Sequence, residues 1–324
     1  MTTLRSTAYP QTSAERDRWI IERRGPREPV ETDKPYAFLV EDERFENGEM
    51  GGVATIFLTN RECPWRCAMC DLWRNTVTET VPLGAIPAQI MYALDRLPST
   101  RQIKLYNSGS FFDRGAIPRE DYGAIASAIS TFERVIVECH PSLIGDSYDQ
   151  FRSLCIPPLE VAMGLETAHP DVLAKLNKRM TLDQYAGAAH RLKSDGVGLR
   201  SFVLVQPPFM REEESLEWAC TSIDFAFDCS ATVVSLLPTR AGNGAVDAFA
   251  TMGLFAPPHL RVVEAALDYG VALGRGRVFV DLWDIDRVAC CRDCRPARLE
   301  RLRRMNFSQR VLEYAPCETC GGRS

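Results

Sequence analysis

Val53-Ala-Thr-Ile-Phe-Leu-Thr59 is followed closely by Cys63-Pro-Trp-Arg-Cys67-Ala-Met-Cys70. The first run is short, apolar and rich in β-branched residues, and reads as a buried strand. The cysteines then lie on the loop that leaves its end, where α/β folds build their sites. Three cysteines spaced C-x3-C-x2-C are one fewer than the four thiolates that commonly hold an iron–sulfur cubane. Four irons with three protein thiolates leave one iron open to another ligand.

Outward from this stretch, strand and helix patterns alternate. Strands are expected at 53–59, 102–107, 134–139, 159–164, 198–205 and 231–236, with a further one at 277–282. Helices are expected between them. In 87–97 the apolar face is Ile90, Ala93, Leu94 and Leu97, and in 118–132 it is Tyr122, Ile125, Ile129 and Phe132. Thr181-x-x-Gln184 predicts a capping box for a helix running to Ser194. Further helices are expected over 213–226, with Leu216, Ala219, Cys220 and Ile223 inward, and over 258–273. Six βα units give a parallel sheet with outer helices, too few for a closed eight-stranded barrel.

The 324 residues carry a net charge of −5, so no global attraction to nucleic acid or membrane is expected. No signal-peptide pattern opens the chain, and no apolar run is long enough to span a bilayer. Twelve cysteines in that setting argue for metal or cluster binding in a reducing compartment, and a cytoplasmic protein is expected. Residues 1–45 read as an N-terminal extension, with Pro10, Pro26, Pro29 and Pro35 breaking any long helix. Residues 46–240 are the core, 241–283 complete it, and 284–324 are a separate Cys-rich module.

The cysteine array after the first core strand resembles the signature of the radical S-adenosylmethionine (SAM) superfamily. That resemblance implies an α/β fold, a partial (β/α)6 TIM-type barrel with a small C-terminal Cys-rich module. It implies that Cys63, Cys67 and Cys70 hold a 4Fe–4S cluster whose open iron chelates the methionine end of SAM. Electron transfer to the sulfonium then gives a 5′-deoxyadenosyl radical that takes hydrogen from the substrate. A reductase, flavodoxin or ferredoxin is the implied electron donor. Met69 stands where the family commonly has an aromatic residue against adenine; a thioether can pack there too.

Polar residues ending successive strands of a parallel barrel converge on one mouth. Asn107-Ser108-Gly109-Ser110 follows the second strand and stands where the family has a Gly-rich segment for the methionine amino group. Glu138, at the end of the third strand, could accept from both ribose hydroxyls. Gly164-Leu-Glu166 ends the fourth. Both stretches resemble those of oxygen-independent coproporphyrinogen oxidases, tRNA methylthiotransferases and the Elongator catalytic subunit, which implies SAM contacts for Glu138 and Glu166. Lys178 matches the basic position for the methionine carboxylate, with Arg179 its alternative. Gln206, after the fifth strand, could reach the same pocket. His140 is at the mouth but shows no ligand spacing, and a capping role is the plainer reading.

Cys291-Arg-Asp-Cys294 and Cys317-Glu-Thr-Cys320 form two C-x2-C pairs, 22 residues apart. Such knuckles suit tetrahedral Zn2+, and the same four thiolates could hold an auxiliary 4Fe–4S cluster. Between them a helix is expected from about Pro296, with Leu299, Leu302 and Met305 inward. Residues 287–310 carry eight arginines and two acids, a density that invites phosphate.

The run from 53 to 320 resembles the radical SAM subunit of archaeosine synthase and its bacterial relatives. The resemblance implies tRNA modification, with cleavage of a carbon–nitrogen bond in a lysine-bearing deazaguanine. Two other classes stay open: an Fe–S electron-transfer protein, and a zinc-dependent RNA-binding module without catalysis.

Overall fold

The computed structural model describes residues 8–288, 290–314 and 316–320. The first seven residues of the expected extension, and the last four of the Cys-rich module, lie outside them. Eight strands form one sheet: β1 Ala37–Arg44, β2 Met50–Phe57, β3 Gln102–Tyr106, β4 Arg134–Glu138, β5 Leu159–Glu166, β6 Gly198–Val205, β7 Val233–Pro238 and β8 Arg277–Val280. They lie in sequence order. β1 is antiparallel to β2 and every later pair is parallel. The sheet curls, because Glu43 on β1 reaches Arg200 on β6 at 2.6 Å and Arg277 on β8 at 3.8 Å. β1 and β8 do not pair with each other, so this is a partial barrel.

The alternation of strand side chains explains the layers. One face of each parallel strand carries Ile103 and Leu105, Val135 and Val137, Val161 and Met163, Leu199 and Val203, or Val234 and Leu236. These join the helices in one large core. The other face lines the bore. Its lower level is ionic. Glu43 binds Lys104 at 2.8 Å and Arg200 at 2.6 Å, and Arg200 also binds Glu160 at 2.7 Å. Burial would raise the Glu43 carboxyl, but Arg200 and Lys104 hold it far below the usual range. Above lie Tyr106, Ile136, Ala162 and Phe202. Above these the strand ends carry Glu138, Gly164 and Glu166 into a cavity at the mouth.

Residues 37–44, read from sequence as part of the irregular extension, are strand β1. The signal was hidden because Glu41-Asp-Glu-Arg44 is fully charged; alternate carboxylates point into the bore, where cations meet them. Before β1, helix Ser13–Ile21 wraps the outside, with Trp19 stacked on Phe249 at 5.0 Å. The capping box at Thr181 and Gln184 starts helix Leu182–Ser194. Leu216, expected inward on helix Ser215–Asp228, is instead 38% exposed. The buried stripe there is Ser215, Ala219, Ser222, Ile223, Ala226 and Phe227.

Helix Arg295–Ser308 begins with proline in its first turn and buries Leu302 and Met305. Two of its arginines do not face solvent. Arg298 binds Glu264 and Arg301 binds Asp268 at 2.6 Å, both on helix Leu260–Leu273. The helix also covers the open edge of β8. The Asn306 amide donates to Val280 O and accepts from Val280 N, each at 2.9 Å. The Gln309 amide does the same to Val278, at 2.9 and 2.7 Å. Two side chains thus supply the pairing a ninth strand would give, and the edge is closed to other chains.

Asn306→Leu should leave both Val280 backbone groups unpaired. Urea unfolding should show a loss of about 1–3 kcal/mol, and light scattering should show self-association through the freed edge.

Candidate active site at the barrel mouth

The loop after β2 carries Cys63, Cys67 and Cys70 into a cavity of about 310 Å³. That volume is at the low end of small-ligand sites, roughly 300–1,000 Å³. Contacts from four residues outside it hold the loop. Ala68 N donates to Leu176 O at 2.8 Å. The Asn177 amide donates to Arg66 O at 2.8 Å. The Asn243 amide donates to Ala68 O and Cys70 O at 2.9 and 3.2 Å. Trp65 stacks on His140 with ring centres 4.0 Å apart. Sequence reading missed Asn177, Asn243 and Trp65. The signal available was Gly242-Asn-Gly244, a turn whose asparagine also accepts from Val246 N to start helix Ala245–Thr251.

Burial pushes all three thiols up to about 12. As free groups they stay protonated, so bound metal must supply the charge that makes them thiolates. The expected Ser108-Gly109-Ser110 loop lies against them. A side chain at Gly109 would sit 3.1 Å from the Cys63 β-carbon, so the cysteine loop would have to give way to any larger residue there. Ser108 is left-handed (φ 56°), and its hydroxyl meets Tyr36 at 3.0 Å.

Glu138 points at the same loop. Its carboxylate accepts from Asn107 N at 2.5 Å and Gly109 N at 3.3 Å. Burial raises its pKa to about 7 against these N–H groups, which favour the charged form. Glu166 and Lys178 pair across the next strand end. A side chain at Gly164 would collide with both partners, so this glycine makes room for the pair. Arg179 lies outside, on Asp17 of the N-terminal helix.

Met69 lines the cavity, as do Ser108, Gly109, Ser110, Glu138, Glu166 and Lys178. Gln206 is not among the lining residues. Its amide donates to Ala256 O at 2.8 Å, and its oxygen is buried without a partner.

His140 has the capping role. Nδ1 accepts from Ser142 N at 3.2 Å, so the proton is on Nε2, which donates to Lys178 O at 3.1 Å. Burial, with Lys178 nearby, lowers its pKa from 6.5 to about 4.

The second cysteine set is at the other end of the chain. Cys291 and Cys317 sulfurs are 3.9 Å apart, and those of Cys294 and Cys320 are 3.7 Å apart. All four sulfurs lie within 4.8 Å of one another, the only such group among the described residues. No disulfide forms between described cysteines.

The chain is similar to curated proteins and to solved structures, some of which are described as radical SAM enzymes. No family model matches the chain. Among curated relatives, archaeosine synthase subunit beta of Methanosarcina acetivorans is 27% identical over 227 residues, covering 66% of this chain and 65% of that protein. The subunit beta of Thermococcus kodakarensis is 29% identical over 168 residues, covering 48% and 51%. An uncharacterized protein of Methanocaldococcus jannaschii is 24% identical over 250 residues, covering 72% and 68%. The matches thus span about half to two thirds of the relatives' length. Among solved structures, methylornithine synthase has a TM-score of 0.49 at 12% identity, covering 68% of this chain and 64% of that one. Coproporphyrinogen III oxidase of Escherichia coli, described as a radical SAM enzyme, has 0.45 at 12%, covering 83% and 58%. Among the described residues, no helix is long and apolar enough to cross a membrane.

Two outcomes are expected. Gly164→Ala should separate Glu166 from Lys178, and urea unfolding should show a loss of about 1–3 kcal/mol as the buried pair loses its hydrogen bond. His140 should titrate in NMR near pH 4. Its neutral form is favoured by the fold, so the stability it contributes is present above pH 6.5 and is lost as pH falls from 6.5 towards 4.

Proposed function

We propose that this chain is a radical SAM enzyme acting on a nucleobase of RNA. The observation that carries the first half is the shared cavity: three thiols on one loop face the Glu166–Lys178 pair and the Ser108–Ser110 loop. Cys63, Cys67 and Cys70 would hold a 4Fe–4S cluster, and the open iron would take the methionine end of SAM. Bound there, the cluster supplies the electron that breaks the sulfonium bond and yields the radical that takes a substrate hydrogen. The protein's own part is positioning. Lys178 would meet the methionine carboxylate and Glu166 the amino group, each exchanging its present partner for the ligand. Glu138 keeps the Ser108–Ser110 loop in place through one oxygen and would offer the other to ribose. Met69 would lie against adenine. A reductase, flavodoxin or ferredoxin would supply the electron in the cytoplasm.

The RNA half rests on the relatives named archaeosine synthase subunit beta. The arginine excess of residues 287–310 no longer supports it as a whole, since Arg298 and Arg301 are buried in ion pairs.

Cys291, Cys294, Cys317 and Cys320 would hold one structural Zn2+. Zinc–thiolate bonds of about 2.3 Å in a tetrahedron put sulfurs about 3.8 Å apart, and two pairs here stand at 3.7 and 3.9 Å. A cubane would spread its four thiolates more widely.

Reconstituted protein given dithionite and SAM should form 5′-deoxyadenosine by mass spectrometry, and Cys67→Ala should form none; equal yield from a variant lacking all three cysteines would refute the reading. That triple variant should retain about one zinc and no iron per chain; roughly four irons would instead mean an auxiliary cluster.

A further inference from the structure

A second cavity, of about 690 Å³, adjoins the cysteine loop. Arg24, Arg27, Arg61 and Arg66 line it against two carboxylates, Glu62 and Asp113. Three of the four arginines converge on Glu62: Arg24 at 2.6 Å, Arg66 at 3.1 Å, and Arg27. Burial would raise the Glu62 carboxyl, but hydrogen bonds from Arg24 and Arg27 hold it below the usual range. One carboxylate is thus shared among three guanidiniums.

Among the described residues no further carboxylate lines the cavity to meet the surplus charge, although Arg27 donates to Trp73 O and Thr76 and Arg66 donates to Cys63 O. Arg24 has a side chain only 9% exposed, and its Nε is buried without a hydrogen-bond partner. Arg61 makes no ion pair among the described residues, although its guanidinium comes near Gly115 and Asp113. Arg24, Glu62 and Trp73 line both cavities, so the Arg24–Glu62 pair stands between them.

We propose that this arginine-lined cavity binds a backbone phosphate of the RNA substrate, seating the strand so that the neighbouring nucleotide enters the mouth cavity. The inference rests on the RNA reading above. Planar guanidinium forks match phosphate oxygens, and a recessed cluster reaches a phosphate that protrudes from a strand. A flat acidic protein surface could not reach Arg24 at this depth. The shared wall gives the arrangement its purpose, because a phosphate held on one side of Arg24 leaves the attached nucleoside on the cysteine side.

The test measures binding of unfractionated tRNA to the full, cluster-reconstituted protein over a range of salt. Arg61→Gln should weaken binding at least threefold and lower the slope of log K against log salt by about one. Arg61→Lys should restore most of both. Arg24→Gln should weaken binding at least tenfold. Arg303→Gln, on the exposed face of helix Arg295–Ser308, should change neither quantity. SAM affinity of Arg61→Gln should equal that of wild type, which shows that the variant is folded. Unchanged tRNA affinity in both Arg24→Gln and Arg61→Gln would overturn the proposal. So would wild-type protein that ignores tRNA at low salt but binds reduced flavodoxin through the same arginines, which would make the cavity a docking site for an acidic protein. Absence of 5′-deoxyadenosine with intact tRNA binding would instead refute only the catalytic reading.

Discussion

The ionic level low in the bore is the constraint that the rest of the structure obeys. Lys104, Glu160 and Arg200 come from three parallel strands, and Glu43 comes from the antiparallel one. Buried charges are costly unless every one is paired, and removing one partner typically costs about 3–5 kcal/mol. The network therefore fixes which residue of each strand faces inward. With a period of two, that choice also fixes what stands higher on the same strand. Arg134, Ile136 and Glu138 share a face, as do Glu160, Ala162 and Gly164. A slip of one residue would expel the charges from the bore and the site residues from the mouth together.

At the mouth the same economy recurs. Glu138 holds a loop by its backbone, and Glu166 holds Lys178 through the gap that Gly164 leaves. Both carboxylates thus have partners within the protein, which orders the site before any ligand arrives. Rigid placement of binding groups is what lets binding energy favour one reacting geometry. Trp65 on His140 and the asparagines on the loop carbonyls extend this order to the cysteines.

Much of this was legible in the sequence. The parallel strands follow from short apolar runs, and the cysteine spacing is a local signal that needs no fold to be read. Strand β1 was not legible, because a run of four charged residues looks solvated until cations from distant strands are set beside it. The arginines of 298 and 301 failed in the same way. Arginine density gives no hint of whether a carboxylate sits on a neighbouring helix, and Glu264 and Asp268 do. Gln206 lay at a plausible strand end, yet the left-handed backbone there (φ 55°) turns its amide to Ala256. Strand position predicts where a residue is, whereas local dihedrals decide where it points.

The amide clips of Asn306 and Gln309 bear on the order in which the molecule assembles. Helical units between neighbouring strands can form from contacts close in sequence. The bore is different: Arg277 donates to Arg44 O at 2.8 Å, and Arg44 donates to Phe307 O at 3.2 Å. These contacts join regions more than two hundred residues apart. Closing such distant loops is slow, whereas Asn306 and Gln309 lie only 26 and 31 residues from Val280 and Val278, so the β8 edge is expected to be covered before the bore closes. While the bore is still open, the half-finished sheet therefore already has its β8 edge shut to other chains by residues 306–309.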